Sequence, residues 1–221
     1  MAGISGPNIV TSGLVLWLDA ADPVSYPGSG TTWYDLSGQG NSASLLNSPS
    51  YSGANNGYLI FNGSTQSGSI SSMTNFPMGG SARTLSAWVN FTSVPSYCYL
   101  VAYGTSATQQ GCLLGVISGT WGFTGYGVSY DVKSSVTPVS GTWYHICATY
   151  TAGTATIYLN AAQIQQSSVT FNTVSSWAYV AQRQGADYFP GYLSNAQIYN
   201  VALTAAQVQQ NFNSLRYRYG I

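Results

Sequence analysis

The apolar and polar positions of the chain alternate mostly at period two. In residues 13–20, Leu14, Leu16 and Leu18 fall on one face while Val15 and Trp17 fall on the other. Apolar residues on both faces predict a strand covered on both sides, as in the middle of a packed sandwich. Residues 84–91 alternate in the same way, Leu85, Ala87, Val89 and Phe91 against Thr84, Ser86, Trp88 and Asn90. Residues 97–103 form a continuous apolar run between Pro95 and Gly104, which predicts a buried strand. Residues 58–61 run into an Asn62-Gly63 turn, and residues 112–117 with 119–130 read as a hairpin. A second hairpin joins 142–151 to 154–159 through Ala152-Gly153. Residues 169–171, 177–182 and 192–199 add three further strands. Helical spacing occurs once, where Val208, Phe212 and Leu215 follow a Thr204 able to cap.

Many short strands separated by Gly, Pro and Ser turns, with one helix at the end, predict an all-β fold. The architecture expected is an antiparallel β-sandwich or jelly roll with one short C-terminal helix. Neither a linker nor an internal repeat divides the chain, so a single domain is expected over 13–221. Residues 1–12 are small and polar, and Gly3, Gly6 and Pro7 block regular structure. They read as an extended arm, either disordered or laid against a neighbouring subunit.

Charge changes this picture most. The 221 residues carry five acidic and five basic side chains, 5% of the chain, where a soluble domain typically has about 25%. Ser, Thr, Gln, Asn and Gly must wet the surface instead. Zero net charge gives no steering toward nucleic acid or an anionic membrane. Arg216 and Arg218, interleaved with Tyr217 and Tyr219, are too few for a phosphate track. Little self-repulsion opposes association, which makes a homo-oligomer an expectation. Residues 1–8 contain neither a basic nor an apolar region of a signal peptide, and no apolar run approaches the ~18 residues that span a bilayer. Cys98, Cys112 and Cys147 are an odd set without metal spacing, simplest as three buried thiols from a reducing cytoplasm, with one disulfide and a free thiol as the other pattern.

Candidate chemistry is sparse. Glycoside hydrolysis generally needs two carboxyl groups across the sugar, one held protonated. The chain has no Glu, and no strand carries two Asp at alternating positions. His145, the only histidine, lies in mid-strand, and no nucleophile elbow surrounds any Ser. The chain therefore reads as non-enzymatic. Asp19, Asp22 and Asp35, with Asn41, are the candidate calcium ligands, since calcium takes six to eight oxygens. Their other reading is turn-making. For sugar binding, residues 121–130 are the candidate platform, with Trp121, Phe123, Tyr126 and Tyr130 between glycines that leave ring faces open. Buried core and protein interface are the competing readings of these rings.

Four stretches carry a family resemblance. Gly13-Leu-Val-Leu-Trp-Leu-Asp-Ala20 with Gly30-Thr-Thr-Trp-Tyr-Asp-Leu-Ser-Gly-Gln-Gly-Asn41 is the first. Gly141-Thr-Trp-Tyr-His-Ile-Cys-Ala-Thr-Tyr150 with Ala155-Thr-Ile-Tyr-Leu-Asn160 is the second. The others are Gly191-Tyr-Leu-Ser-Asn-Ala-Gln-Ile-Tyr-Asn-Val-Ala-Leu203 and the helical stretch 203–212. Together they resemble a laminin-G-like domain of the concanavalin A-like lectin/glucanase superfamily over roughly residues 9–218. The glucanases of that superfamily use an E-x-D-x-x-E arrangement that this sequence lacks. Asn160-Ala161 replaces the family's Asn-Gly, and Ala tolerates positive φ poorly, so a longer or different turn is expected there.

The opening Ile9-Val-Thr-Ser-Gly-Leu-Val-Leu16, the stretch 25–33 and the closing Arg218-Tyr-Gly220 resemble the laminin-G-like proteins of tailed-phage virions. That resemblance implies a virion protein made in the host cytoplasm. Its expected role is capsid decoration, bound to the major capsid protein or to other virion proteins. The alternative it implies is a glycan-binding receptor module at a tail fibre or tail tip.

Overall fold

The computed structural model describes residues 7–221. In chain order its strands are β1 (Leu14–Asp19), β2 (Thr32–Trp33), β3 (Ala43–Leu46), β4 (Ser50–Ser52), β5 (Tyr58–Asn62), β6 (Ser67–Ile70), β7 (Arg83–Phe91) and β8 (Tyr97–Gly104). They continue with β9 (Gly111–Ile117), β10 (Thr120–Thr124), β11 (Asp131–Lys133), β12 (Trp143–Thr151), β13 (Thr154–Leu159), β14 (Ala162–Ser168), β15 (Trp177–Val180) and β16 (Pro190–Tyr199). Helix α1 (Ala205–Leu215) follows. One sheet runs β14-β13-β12-β7-β16-β5-β4, with β1 also paired to β16. The other runs β11-β10-β9-β8-β15-β6-β3-β2. All pairings are antiparallel, and the two sheets enclose one apolar core. The predicted β-sandwich with a short C-terminal helix is the fold observed.

The period-two pattern decides what lies inside. Leu85, Ala87, Val89 and Phe91 of β7 enter the core, while Trp88 of the same strand faces outward into a second apolar cluster. That cluster forms under α1, whose Val208, Phe212 and Leu215 dock on Trp88, Cys147, Tyr158 and Tyr199. Trp88 stacks on Phe212 at 5.6 Å and on Tyr219 at 4.3 Å. Thr204 caps the helix as expected, and Gln207 completes a capping box. The middle of the first sheet is thus covered on both faces, and so is β1, which lies beside β16.

Of the expected arm, residues 1–6 lie outside the described residues. Residues 7–12 run along α1. Val10 N–H donates to Asn211 Oδ1 at 2.8 Å, Tyr199 Oη donates to the Val10 carbonyl at 3.0 Å, and Ile9 and Val10 are buried.

Two expectations are corrected. Residues 169–171 form no strand. Phe171 turns inward, 5.1 Å from Phe123 and 4.6 Å from Tyr150, and the edge position belongs to β14, whose Ala-Gln-Ile-Gln-Gln-Ser-Ser has no apolar alternation. Asn160-Ala161 is not a longer turn. Leu159 pairs directly with Ala162, and the two turn residues take φ of 48° and 67°, so Ala161 carries the left-handed strain that Gly would relieve. The three cysteines are free and buried.

Candidate functional site

Among the described residues no helix covers the outer face of the second sheet. Tyr99 and Ala102 of β8, Leu113 and Ile117 of β9 and Trp177 of β15 form a small apolar cluster there, with Tyr126 and Tyr179 against it. At one end of that face a cleft of about 230 Å³ opens between Tyr97, Tyr99, Tyr126, Asp131, Arg183 and Asp187. Two cavities of about 330 and 380 Å³ lie elsewhere. The first opens against residue 7, beside an Arg218 already bound to Asp19, and the second is lined largely by Gly, Ser, Thr and Pro with Tyr26 and Tyr51.

Loop chemistry aims the side chains into the cleft. Between β15 and β16, Arg183 and Ala186 exchange both backbone hydrogen bonds at 2.9 Å around Gln184-Gly185. Gln182 Oε1 accepts from Gly185 N–H at 2.7 Å, and Gln184 Oε1 accepts from Ser106 Oγ at 2.7 Å, fixing this hairpin to its surroundings. Tyr99 N–H donates to the Asp187 carbonyl at 3.1 Å. Tyr126 N–H donates to Thr124 Oγ1 at 2.9 Å. Tyr126 and Asp187 both have left-handed backbone, φ 75° and 52°, which Asp tolerates but which is uncommon for a residue as bulky as Tyr126.

Arg183 organises the electrostatics. Its Nη2 lies 2.8 Å from Asp187 Oδ2, and its guanidinium sits 5.0 Å from the centre of the Tyr126 ring and 6.0 Å from that of Tyr99. Its Nε is buried without a hydrogen-bond partner in the chain. Burial, and then the Asp187 charge, push the Tyr99 hydroxyl well above its ordinary range, so it stays protonated. Aromatic walls beside carboxylate acceptors and a guanidinium donor suit a ligand with C–H faces and hydroxyl edges.

Of the four rings in the candidate platform, Tyr126 lines this cleft. Tyr130 packs against the main core from its edge. Trp121 and Phe123 are corrected: both are 0% exposed, point between the sheets and cannot offer a ring face. Their alternation with Gly122 is that of a core strand.

The candidate calcium ligands do not converge either. Asp19 is buried and bound by Arg218 Nη1 at 2.8 and 2.9 Å. Asp22 Oδ1 accepts from Val24 N–H within its own turn. Asp35 accepts from the backbone of Trp17, Ser37 and Asn41 and from Ser37 Oγ. Asn41 bonds to Val15 and Thr74. Turn-making is what these residues do, and among the described residues no three His, Cys, Asp or Glu cluster.

His145 lies under α1, 5.2 Å from the Trp88 ring, and burial lowers its pKa to about 3. Tyr97, Tyr99, Asp131, Arg183 and Asp187 escaped the sequence reading. A usable signal was the scarcity of charge: two of five acidic and one of five basic side chains meet in one cleft.

A family model of laminin-G type, described as the concanavalin A-like lectin/glucanases superfamily, matches residues 61–209. The chain belongs to this superfamily. No curated protein sequence matches the chain. Among solved structures, the concanavalin A-like sandwich is similar to domain 4 of AbnA, an extracellular arabinanase of Geobacillus stearothermophilus, in complex with arabinotriose. The TM-score is 0.70 at 15% identity, over 91% of this chain and 98% of that one. It is also similar to the binding domain of Paraclostridial Mosquitocidal Protein 1, with a TM-score of 0.69 at 19% identity. That match covers 91% of this chain and 52% of the other. Trypanosoma rangeli sialidase in complex with the inhibitor DANA gives 0.67 at 17% identity, over 98% of this chain and 36% of the enzyme. These likenesses concern the fold, a lectin-like β-sandwich.

Proposed function

We propose that this protein is a non-enzymatic, glycan-binding adhesion module of a tailed-phage virion. The observation that carries the reading is the cleft at one end of the second sheet's outer face, where Tyr97, Tyr99 and Tyr126 stand beside Asp131, Arg183 and Asp187. The arabinanase domain that shares the fold was solved with arabinotriose, which supports a sugar as the ligand class. Glycoside hydrolysis requires one carboxyl held protonated in an apolar, desolvated setting opposite a second. Asp131 and Asp187 are both half-exposed, and Asp187 is bound to Arg183, which favours binding without chemistry. The virion setting rests on the resemblance of residues 9–16, 25–33 and 218–220.

A glycan array probed with the full chain tests the reading. Reproducible binding is expected, weakened about tenfold or more by Tyr126→Ala, as for an aromatic anchor. Tyr217→Ala, an exposed ring on the other side of the sandwich, should leave binding unchanged. Failure to bind any glycan overturns the reading.

A second reading, capsid decoration through the major capsid protein or copies of the same chain, is favoured by the surface itself. Val24, Tyr34, Val128 and Val139 are exposed on a molecule with 5% charged residues, which suits packing against neighbours. Cryo-electron microscopy of particles separates the two. Density on the head lattice in proportion to capsomers supports decoration, and a few copies at the tail tip support receptor binding.

A further inference from the structure

We infer that the cleft selects uncharged sugars over acidic ones, and that Asp131 and Asp187 set this preference. The inference rests on the glycan reading above and narrows its ligand class. Arg183 is the one cation among the residues lining the cleft, against two carboxylates. Asp187 already engages it at 2.8 Å, and among the described residues Asp131 has no ion-pair partner. The lining is therefore net negative.

A sialate or uronate carboxylate entering the cleft would compete with Asp187 for the guanidinium. Success would leave Asp187 unpaired, and the newcomer would still face Asp131. Like charges at such range repel, and the partial burial of the cleft leaves little salt to screen them. An uncharged sugar meets the opposite situation. Its hydroxyls can donate to Asp131 and to the Asp187 oxygen that Arg183 leaves free. The Tyr99 hydroxyl, kept protonated by burial and by Asp187, adds no charge. Tyr97, 46% exposed, offers a ring to the C–H face of the sugar.

The full chain can be titrated calorimetrically with matched pairs of oligosaccharides, each ending in a hexose or in the corresponding uronic acid, and with asialo and sialylated versions of one glycan. The neutral member of each pair is expected to bind about tenfold or more tightly than its acidic counterpart. Asp131→Asn and Asp187→Asn keep the side-chain shape, and each should shrink that ratio to about threefold or less. Acidic sugars binding as well as neutral ones would overturn the inference while leaving the glycan reading intact. A neutral preference unmoved by both Asn variants would overturn the roles given to Asp131 and Asp187. No binding to either member of any pair would remove the glycan reading, and the inference with it.

Discussion

Arg83 sits at 0% exposure between the sheets with no carboxylate beside it. Its Nε donates to the Ser81 carbonyl at 2.8 Å, Nη1 to Thr173 Oγ1 at 2.6 Å and Nη2 to the Gly79 carbonyl at 2.6 Å. Its guanidinium also lies 5.4 Å from the centre of the Tyr150 ring. A planar fork with five donors can tie segments 78–81 and 173 together, which a lysine cannot. Arg83→Met should lower stability by about 3 kcal/mol or more, because several buried acceptors lose their donor at once. Urea unfolding reads this directly. His145 makes a different prediction. Unfolded, it takes up a proton below about 6.5, whereas in the fold burial keeps it neutral down to about 3. The unfolded state therefore binds the proton first, and stability falls as pH drops through that window, by about 3 kcal/mol at pH 4. Melting temperature followed against pH should show this loss in the native protein and lose that component in His145→Gln. At this scale the sequence was only partly legible. Period two places Trp121 and Phe123 on a common face but is silent on whether that face looks inward. Asp131 opens β11 and Asp187 lies in the loop before β16, and only the closed sandwich brings them into one cleft.

At the scale of elements, the strands that alternate strongly were legible because burial on both faces demands it. In β7 every position is buried, as are most positions of β8 and β12, and apolar residues recur accordingly. The strands that the pattern missed, β2, β3, β4, β6, β11 and β14, are short or polar and draw their pairing from neighbours rather than from their own side chains. The helix was legible through its cap and its spacing. The tail after it makes a specific contact: Arg218 reaches back to Asp19 at the end of β1, while Tyr219 packs against Trp88 and Trp143. Burial outweighs the Arg218 charge and raises the Asp19 carboxyl above its ordinary value. Removing the guanidinium strands that carboxyl in the interior. Arg218→Ala should therefore cost about 3 kcal/mol, measured by urea unfolding. A change below about 1 kcal/mol would mean that the tail is latched by its aromatic ring alone.

For the whole molecule, the two sheets are not equivalent. One is closed over by α1 and residues 7–12, so its outer face belongs to the fold. The other ends in loops around an aromatic cleft that holds three of the chain's few charges. Zero net charge removes long-range attraction as a source of affinity, so recognition has to come from contact, whether with a sugar or with a neighbouring protein. The proposed binding surface is the cleft on the outer face of the second sheet. Hydrogen–deuterium exchange of the full chain, alone and saturated with a neutral oligosaccharide found on the array, tests it most directly. Protection is expected to concentrate at 97–99, 124–131 and 183–187, with α1 and the tail unchanged. Protection centred on 205–219, with those three segments unaffected, would contradict it.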